Sequence, residues 1–271
     1  MLVFGKCKNT KKGKMSFKYF IPKVKSAPWR DYWSNKDMES DFSSCKKDEL
    51  WGIIKKFVSL DDKIIDAGCG LGRWVAFLSR KNYKVLGIDN FKQLIERAKR
   101  FDRTLELRVA DVLKLPFKNE AFDVYLSFGV VEHFEAGPTE ALQEARRVLK
   151  KGGIIVLETP HDNFLRRTKH FFGFLKRKKK RTSELQFYEY RFKVSELKKF
   201  LKNLNFKILA IYPKDLLLDN ESIGLWSDFP FLRAKSSDPF KLNIIGILIK
   251  KILKPFKFLF SGCVVVIGRK I

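Results

Sequence analysis

The residues best placed to do chemistry are carboxylates and glycines in a fixed order. Asp66 follows the apolar pair Ile64-Ile65, and Gly68, Gly70 and Gly72 follow it at alternate positions, with Cys69 between the first two. A glycine turn after a buried strand lets a ligand approach the backbone, and the helix that opens behind it offers N–H groups to an anionic group. Asp89 ends a second apolar run, KVLGID, at the spacing where an acid meets ribose hydroxyls in open α/β folds. A carboxylate there accepts two charge-assisted hydrogen bonds. His133, after Glu132, is a candidate general base, since imidazole takes a proton near neutral pH. A structural histidine at a helix start is the alternative. His161 is a weaker candidate of the same kind, and His170 sits in a basic stretch as a solvated side chain.

Positioning these residues requires alternating strands and helices. Strands are expected over 63–66, 84–89, 104–109, 122–128, 153–159, 206–212 and 263–268. Leu50, Ile53, Ile54 and Phe57 form one stripe of a helix capped by Ser43 or Ser44 and running to about 58. Crossover helices are expected over 71–80 and 91–101. Another opens at Gly137-Pro138 and stops at Gly152, and a further one starts from Ser195 as N-cap. This alternation implies a doubly wound α/β fold with a mostly parallel sheet.

The motifs DAGCGLG, GID, ADVLKLPF, FDVYLSFGVVEHF and RRVLKKGG occur in that order. Together they make residues 50–212 and the last strand resemble the class I S-adenosylmethionine-dependent methyltransferases, in particular the group that methylates small molecules and lipid-like substrates. The resemblance implies a Rossmann-like seven-stranded sheet with an antiparallel last strand. It implies S-adenosyl-L-methionine as cofactor, with S-adenosyl-L-homocysteine as product. Asp66 and the turn Gly68-Cys69-Gly70-Leu71-Gly72 would hold the methionine end, and Asp89 the ribose. Asn90 would border the adenine. Asp111 and Val112 would meet the adenine edge, and backbone at Ser127 and Phe128 the methionine ammonium. A dehydrogenase has no need of the second acid Asp111, which argues against a nicotinamide cofactor. The (N/D)-P-P-(Y/F) motif of amino-methylating base modifiers is replaced by Ser127-Phe128-Gly129-Val130, which disfavours exocyclic base nitrogens as acceptors.

Composition bounds the rest. The 271 residues suffice for one α/β domain plus a cap or insertion. No run approaches the ~18 apolar residues of a membrane span. The cysteines at 7, 45, 69 and 263 have neither metal-type nor paired spacing, so no metal is expected and free thiols in a reducing cytoplasm are. The formal net charge of +26 suits nucleic acid, an anionic membrane surface or a phosphorylated acceptor, or else reflects a lysine-rich composition spread along the chain.

Four parts follow. Residues 1–45 are an arm or cap carrying Phe17, Tyr19, Phe20, Trp29, Tyr32 and Trp33; 46–212 are the core, with a basic insertion at 161–190; 213–262 are a lid-like insertion; 263–271 are the final strand. Residues 164–181 hold nine Lys or Arg and no acid. In 241–254, Ile245, Leu248, Ile249 and Ile252 share a helical face, with Lys250, Lys251 and Lys254 beside or opposite it. Such a helix either lies on an anionic membrane or packs on its own domain. The expected acceptor is a small or lipid-linked molecule, with RNA second and a non-catalytic cofactor-binding scaffold third. The expected location is cytoplasmic, with peripheral attachment at the inner membrane face as an option. Oligomeric state is not legible.

Overall fold

The computed structural model describes residues 6–8, 18–22, 37–175, 185–216, 218–236 and 240–271. In chain order the strands are β1 (Lys6–Lys8), β2 (Lys18–Pro22), β3 (Lys63–Ala67), β4 (Lys84–Asp89), β5 (Leu107–Val109), β6 (Phe122–Phe128), β7 (Leu149–Pro160), β8 (Leu185–Tyr190), β9 (Phe206–Lys214) and β10 (Cys263–Lys270). The helices are α1 (Met38–Ser44), α2 (Glu49–Phe57), α3 (Arg73–Ser79), α4 (Lys92–Phe101), α5 (Thr139–Val148), α6 (Phe164–Leu175), α7 (Val194–Asn203), α8 (Ile223–Asp228) and α9 (Ile244–Leu253).

Seven strands form one sheet in the order β5-β4-β3-β6-β7-β10-β9. β3, β4, β5, β6 and β7 are parallel to one another, and the last strand is antiparallel. This is the doubly wound, Rossmann-like arrangement expected. The central strands read as apolar runs because both faces are covered: Ile64, Ile65, Val124, Leu126, Ile155 and Val156 are all buried. Burying each such side chain stabilises the sheet by roughly 2 kcal/mol.

The chain divides into two compact units. The larger is Val24–Glu158 with Lys198–Ala210 and Val266–Ile271; the smaller is Met1–Lys23, Thr159–Leu197 and Ile211–Val265. In the smaller unit, β1, β2 and β8 make a three-stranded antiparallel sheet. Edge-on pairs Tyr19–Tyr188 and Phe20–Phe187 lie across β2 and β8, and the Arg191 guanidinium sits 4.3 Å from the Tyr19 ring centre. A second cluster there joins Leu225, Leu232, Leu242 and Phe260. Phe17, Trp29, Tyr32, Trp33 and the basic run 176–181 lie outside the described residues.

Several element ends differ from the sequence expectation, each for a local reason. The helix before β3 starts at Glu49, not at Ser43 or Ser44, because the Asp48 carboxylate accepts the Leu50 N–H at 3.0 Å. The residues ahead form a separate helix, α1, whose cap is Asp37. α5 ends at Val148 and β7 begins at Leu149, so Gly152 does not stop the helix; it is a left-handed residue (φ +80°) inside the strand. Ser195 lies inside α7 rather than capping it. Glu196 turns back to accept the Lys193 N–H at 2.9 Å, a carboxylate doing the capping from within the first turn. β5 is three residues long rather than six.

Candidate active site at the carboxyl edge of the parallel strands

Strand register gathers the candidate residues within the larger unit. Asp66 lies in the middle of the sheet, aligned with Gly87 of β4 on one side and Leu126 of β6 on the other. Asp89 ends β4 and aligns with Val109 of β5, two residues before Asp111. Ser127 and Phe128 end β6. Asp66, Gly68, Cys69, Gly70, Gly72, Asp89, Asn90, Asp111, Val112, Ser127 and Phe128 therefore all stand at or just beyond the carboxyl ends of four adjacent parallel strands. His133 closes a short 3-10 turn, Val131–His133, after β6, with its N–H donating to the Val130 carbonyl. Ligands of open α/β sheets bind at such an edge.

The turn after β3 is fixed by hydrogen bonds. The N–H groups of Gly68 and Cys69 both donate to the Ile88 carbonyl, at 2.8 and 2.9 Å. Gly68, Gly70 and Gly72 all have left-handed φ, at +82°, +58° and +75°. At Gly68 the requirement is also spatial, because a Cβ there would stand 2.4 Å from Val130 Cγ2. Gly87 is needed for space alone: a Cβ would meet Leu107, Val75 and the Cys69 sulfur within 2.9 Å. Its absence lets α3 lie directly on β4.

The Asp89 carboxylate is half-buried at the rim. Oδ2 accepts the Gly70 N–H at 3.0 Å and Oδ1 accepts the Phe91 N–H at 2.8 Å. Burial raises its pKa, while the two backbone donors oppose the shift. A carboxylate offers about four lone-pair positions, so two remain for further donors. Asp66 is fully buried. Burial pushes its carboxyl up to about 7, with the Asp89 charge adding and Arg73 opposing. Burial likewise pushes the Cys69 thiol well up, so this cysteine is a neutral packing residue at neutral pH. Asn90 is exposed. Asp111 is exposed too, and its Oδ1 accepts the Leu113 N–H at 2.9 Å, while Val112 beside it is buried.

The sequence reading missed a layer behind the turn. Arg73, the first residue of α3, is within 3.8 Å of Asp41 and 3.7 Å of Asp48. These come from α1 and from the cap of α2, so an N-terminal helix pair neutralises the cation beside the glycine turn. Only the chain fold brings Asp41 there. Trp74 packs its ring against Phe128, with centroids 5.7 Å apart. Trp74 Nε1 and Ser127 Oγ are buried and have no hydrogen-bond partner among the described residues. The site thus presents a glycine turn that allows close approach, two carboxylates, and buried polar atoms of both donor and acceptor type. That set fits a ligand carrying hydroxyl and cationic groups, as a sulfonium amino acid joined to a nucleoside does.

His161 is in the smaller unit and is built into its structure. Its ring Nδ1 lies 3.1 Å from Ser261 Oγ, its N–H donates to the Gly262 carbonyl, and its own carbonyl accepts from Arg166 at 2.6 Å. Burial, with Arg166 and Arg167 adding, lowers its pKa to about 4. His170 falls within α6. Among the described residues no group of three or more His, Cys, Asp or Glu is arranged to hold a metal ion. A cleft of about 770 Å³ lined by Glu120, Glu144, Arg147, Asn205 and Lys270 lies where β6 and β9 begin, away from the carboxyl edge. Its charges pair with each other, Arg147 with Glu144 at 2.7 Å and Lys270 with Glu120 at 3.1 Å, which reads as structural.

Residues 65–157 match the family described as "Methyltransferase domain". Over 122 residues, 43% of this chain, the sequence is 35% identical to the tRNA (carboxymethyluridine(34)-5-O)-methyltransferase alkbh8 of Xenopus tropicalis, covering 19% of that protein. The chain spans between about a fifth and a half of the length of the first curated relatives it matches. A Haloferax volcanii methyltransferase solved in complex with the Trm112 methyltransferase activator shares the fold at a TM-score of 0.60 and 15% identity, over 91% of this chain and 99% of that one. The geranyl diphosphate C-methyltransferase of Streptomyces coelicolor does so at 0.55 and 18%, over 84% and 81%.

Proposed function

We propose, for a chain whose residues 65–157 are a class I S-adenosylmethionine-dependent methyltransferase domain, that the whole protein transfers a methyl group from S-adenosylmethionine to a small or lipid-linked acceptor. The observation that carries the proposal is the Asp89 carboxylate. It is oriented by Gly70 and Phe91, keeps two lone-pair positions, and stands beside a preformed glycine turn.

When bound, the cofactor supplies an activated methyl on a positively charged sulfur. The chain's own task is then alignment, for which fixed geometry carries much of the rate. Asp89 would take the two ribose hydroxyls. Asp66 and the 68–72 turn would hold the amino-acid end. Asp111 and Val112 would border the base, as would Asn90. Ser127 and Phe128 would close the site from β6. His133 would hold the acceptor's proton at its ring nitrogen if the acceptor must lose one.

RNA is the second reading. It is favoured by the 35% identity to a tRNA methyltransferase and by the net charge of +26. Titration calorimetry with S-adenosylmethionine and with NADH tests the cofactor reading. The expected result is heat and saturation with the first and none with the second. No binding of S-adenosylmethionine by the folded protein would overturn it and leave a scaffold. Radiolabelled methyl transfer to total RNA and to a lipid extract separates the two acceptors.

A further inference from the structure

In helix α9 one of the two lysines is buried and four aliphatic side chains face water, while Ile247, Ile249 and Leu253 pack on the core of the smaller unit. Lys250 is 5% exposed, and its ammonium donates to the carbonyls of Leu216, Leu218 and Glu221. Gly246 is also buried, and a Cβ on it would stand 2.7 Å from the Leu232 carbonyl. Asn243 fixes the start of the helix, accepting the Gly246 N–H at 2.9 Å and donating to the Phe231 carbonyl at 2.8 Å. The sequence reading of Lys250 as a solvent-facing or lipid-facing lysine is therefore corrected: three backbone acceptors hold it inward, and this sets the rotation of the helix.

The rotation turns Ile244, Ile245, Leu248 and Ile252 outward, at 75, 54, 55 and 72% exposed. Phe256, in the turn that follows, is 62% exposed. Within α9, positions 244/245, 248 and 252 recur about once per turn, giving one ridge along the helix. Single exposed aliphatics are ordinary, but a contiguous apolar ridge on a folded unit marks a contact surface. Lys241, Lys251 and Lys254 are exposed around it. Asp219 pairs with Lys254 at 3.2 Å. From 239 to 271 the sequence contains no Asp or Glu.

We propose that this ridge docks on an anionic lipid bilayer, with α9 lying in the interface plane. Large aliphatics pointing away from the fold, framed by lysines in an acid-free stretch, are complementary to acyl chains beneath negative headgroups. No described helix is long and apolar enough to cross a membrane. The surface goes beyond the methyl-transfer reading, because it uses no residue of the cofactor site.

The test is cosedimentation of the full chain with phosphatidylcholine vesicles and with vesicles containing phosphatidylglycerol. The expected result is binding to the anionic vesicles at least tenfold tighter than to the neutral ones, weakened by salt. The exposed substitutions Leu248→Ser with Ile252→Ser should lower that binding about tenfold or more. Lys251→Gln with Lys254→Gln should lower it about tenfold on anionic vesicles only. Both double variants should keep the wild-type circular dichroism and cofactor affinity, which separates a lost membrane contact from a lost fold. Equal, negligible binding to both vesicles overturns the proposal, as does binding unchanged in both variants. A dimer in sedimentation velocity that Leu248→Ser with Ile252→Ser abolishes would give the ridge to a second copy and overturn it. RNA binding that competes fully with vesicles at this ridge would do the same.

Discussion

The N–H of Gly70 donates to Oδ2 of Asp89 at 3.0 Å, joining the glycine turn after β3 to the end of β4. The carboxylate that would receive the ribose also holds the loop that would receive the amino-acid end. Asp89→Ala should therefore weaken S-adenosylmethionine binding by about 2 kcal/mol or more, roughly 30-fold, in calorimetry. Unchanged affinity in a folded variant would remove Asp89 from the site.

Asp66 gives a signed pH dependence. Its folded-state carboxyl is raised to about 7 from an ordinary value of 3.8. The folded protein therefore binds the extra proton between those values and the unfolded chain does not. Asp66's contribution to stability is fully present at about pH 4 and lost as pH rises through 7. Asp66→Asn should flatten that part of the profile and melt higher than wild type at pH 8, with a gain in stability of a few kcal/mol, at about 1.4 kcal/mol per pKa unit. Thermal melts of both proteins from pH 5 to 8 check this. Cofactor affinity should run the other way in the wild type, rising towards pH 8 as Asp66 ionises beside a cationic group.

Gly87→Ala places a methyl against Leu107, Val75 and Cys69. Overpacking at such a site costs about 1–3 kcal/mol. Urea unfolding should show a lower midpoint with an unchanged slope.

Lys250→Met removes the donor shared by three partly buried backbone carbonyls. The loss should be about 3 kcal/mol, since unsatisfied buried acceptors cost roughly 1–3 kcal/mol each and some will rehydrate. Hydrogen exchange should rise across α9 and residues 215–222 before it rises in β3 or β6.

His133→Ala should lower kcat by about 10²-fold with cofactor affinity held, if the acceptor loses a proton in the reaction. A rate unchanged across pH would return His133 to a structural role in the turn after β6.

The core was legible because its signals are local. Ile64-Ile65-Asp66 and the glycines write a strand and a turn in nine residues, and KVLGID writes the next strand with its acid. Helix ends were less legible where two capping groups competed. Asp48 and Glu196 outbid the nearby serines because a carboxylate accepts more strongly from an N–H than a hydroxyl does. The Arg73 cluster was invisible because Asp41 and Asp48 come from helices ahead of β3. The orientation of α9 was half legible. Its aliphatic stripe could be read from spacing, but the partners of Lys250 lie about 30 residues away, and nothing in a helical wheel says which face turns inward.

The Ile88 carbonyl, by binding both Gly68 N–H and Cys69 N–H, also bears on the kinetics of capture. A loop tethered at two successive amides has no ordering step to complete when a ligand arrives. Its observed association rate should rise linearly with ligand concentration and show no plateau, leaving encounter rather than rearrangement as the slow event.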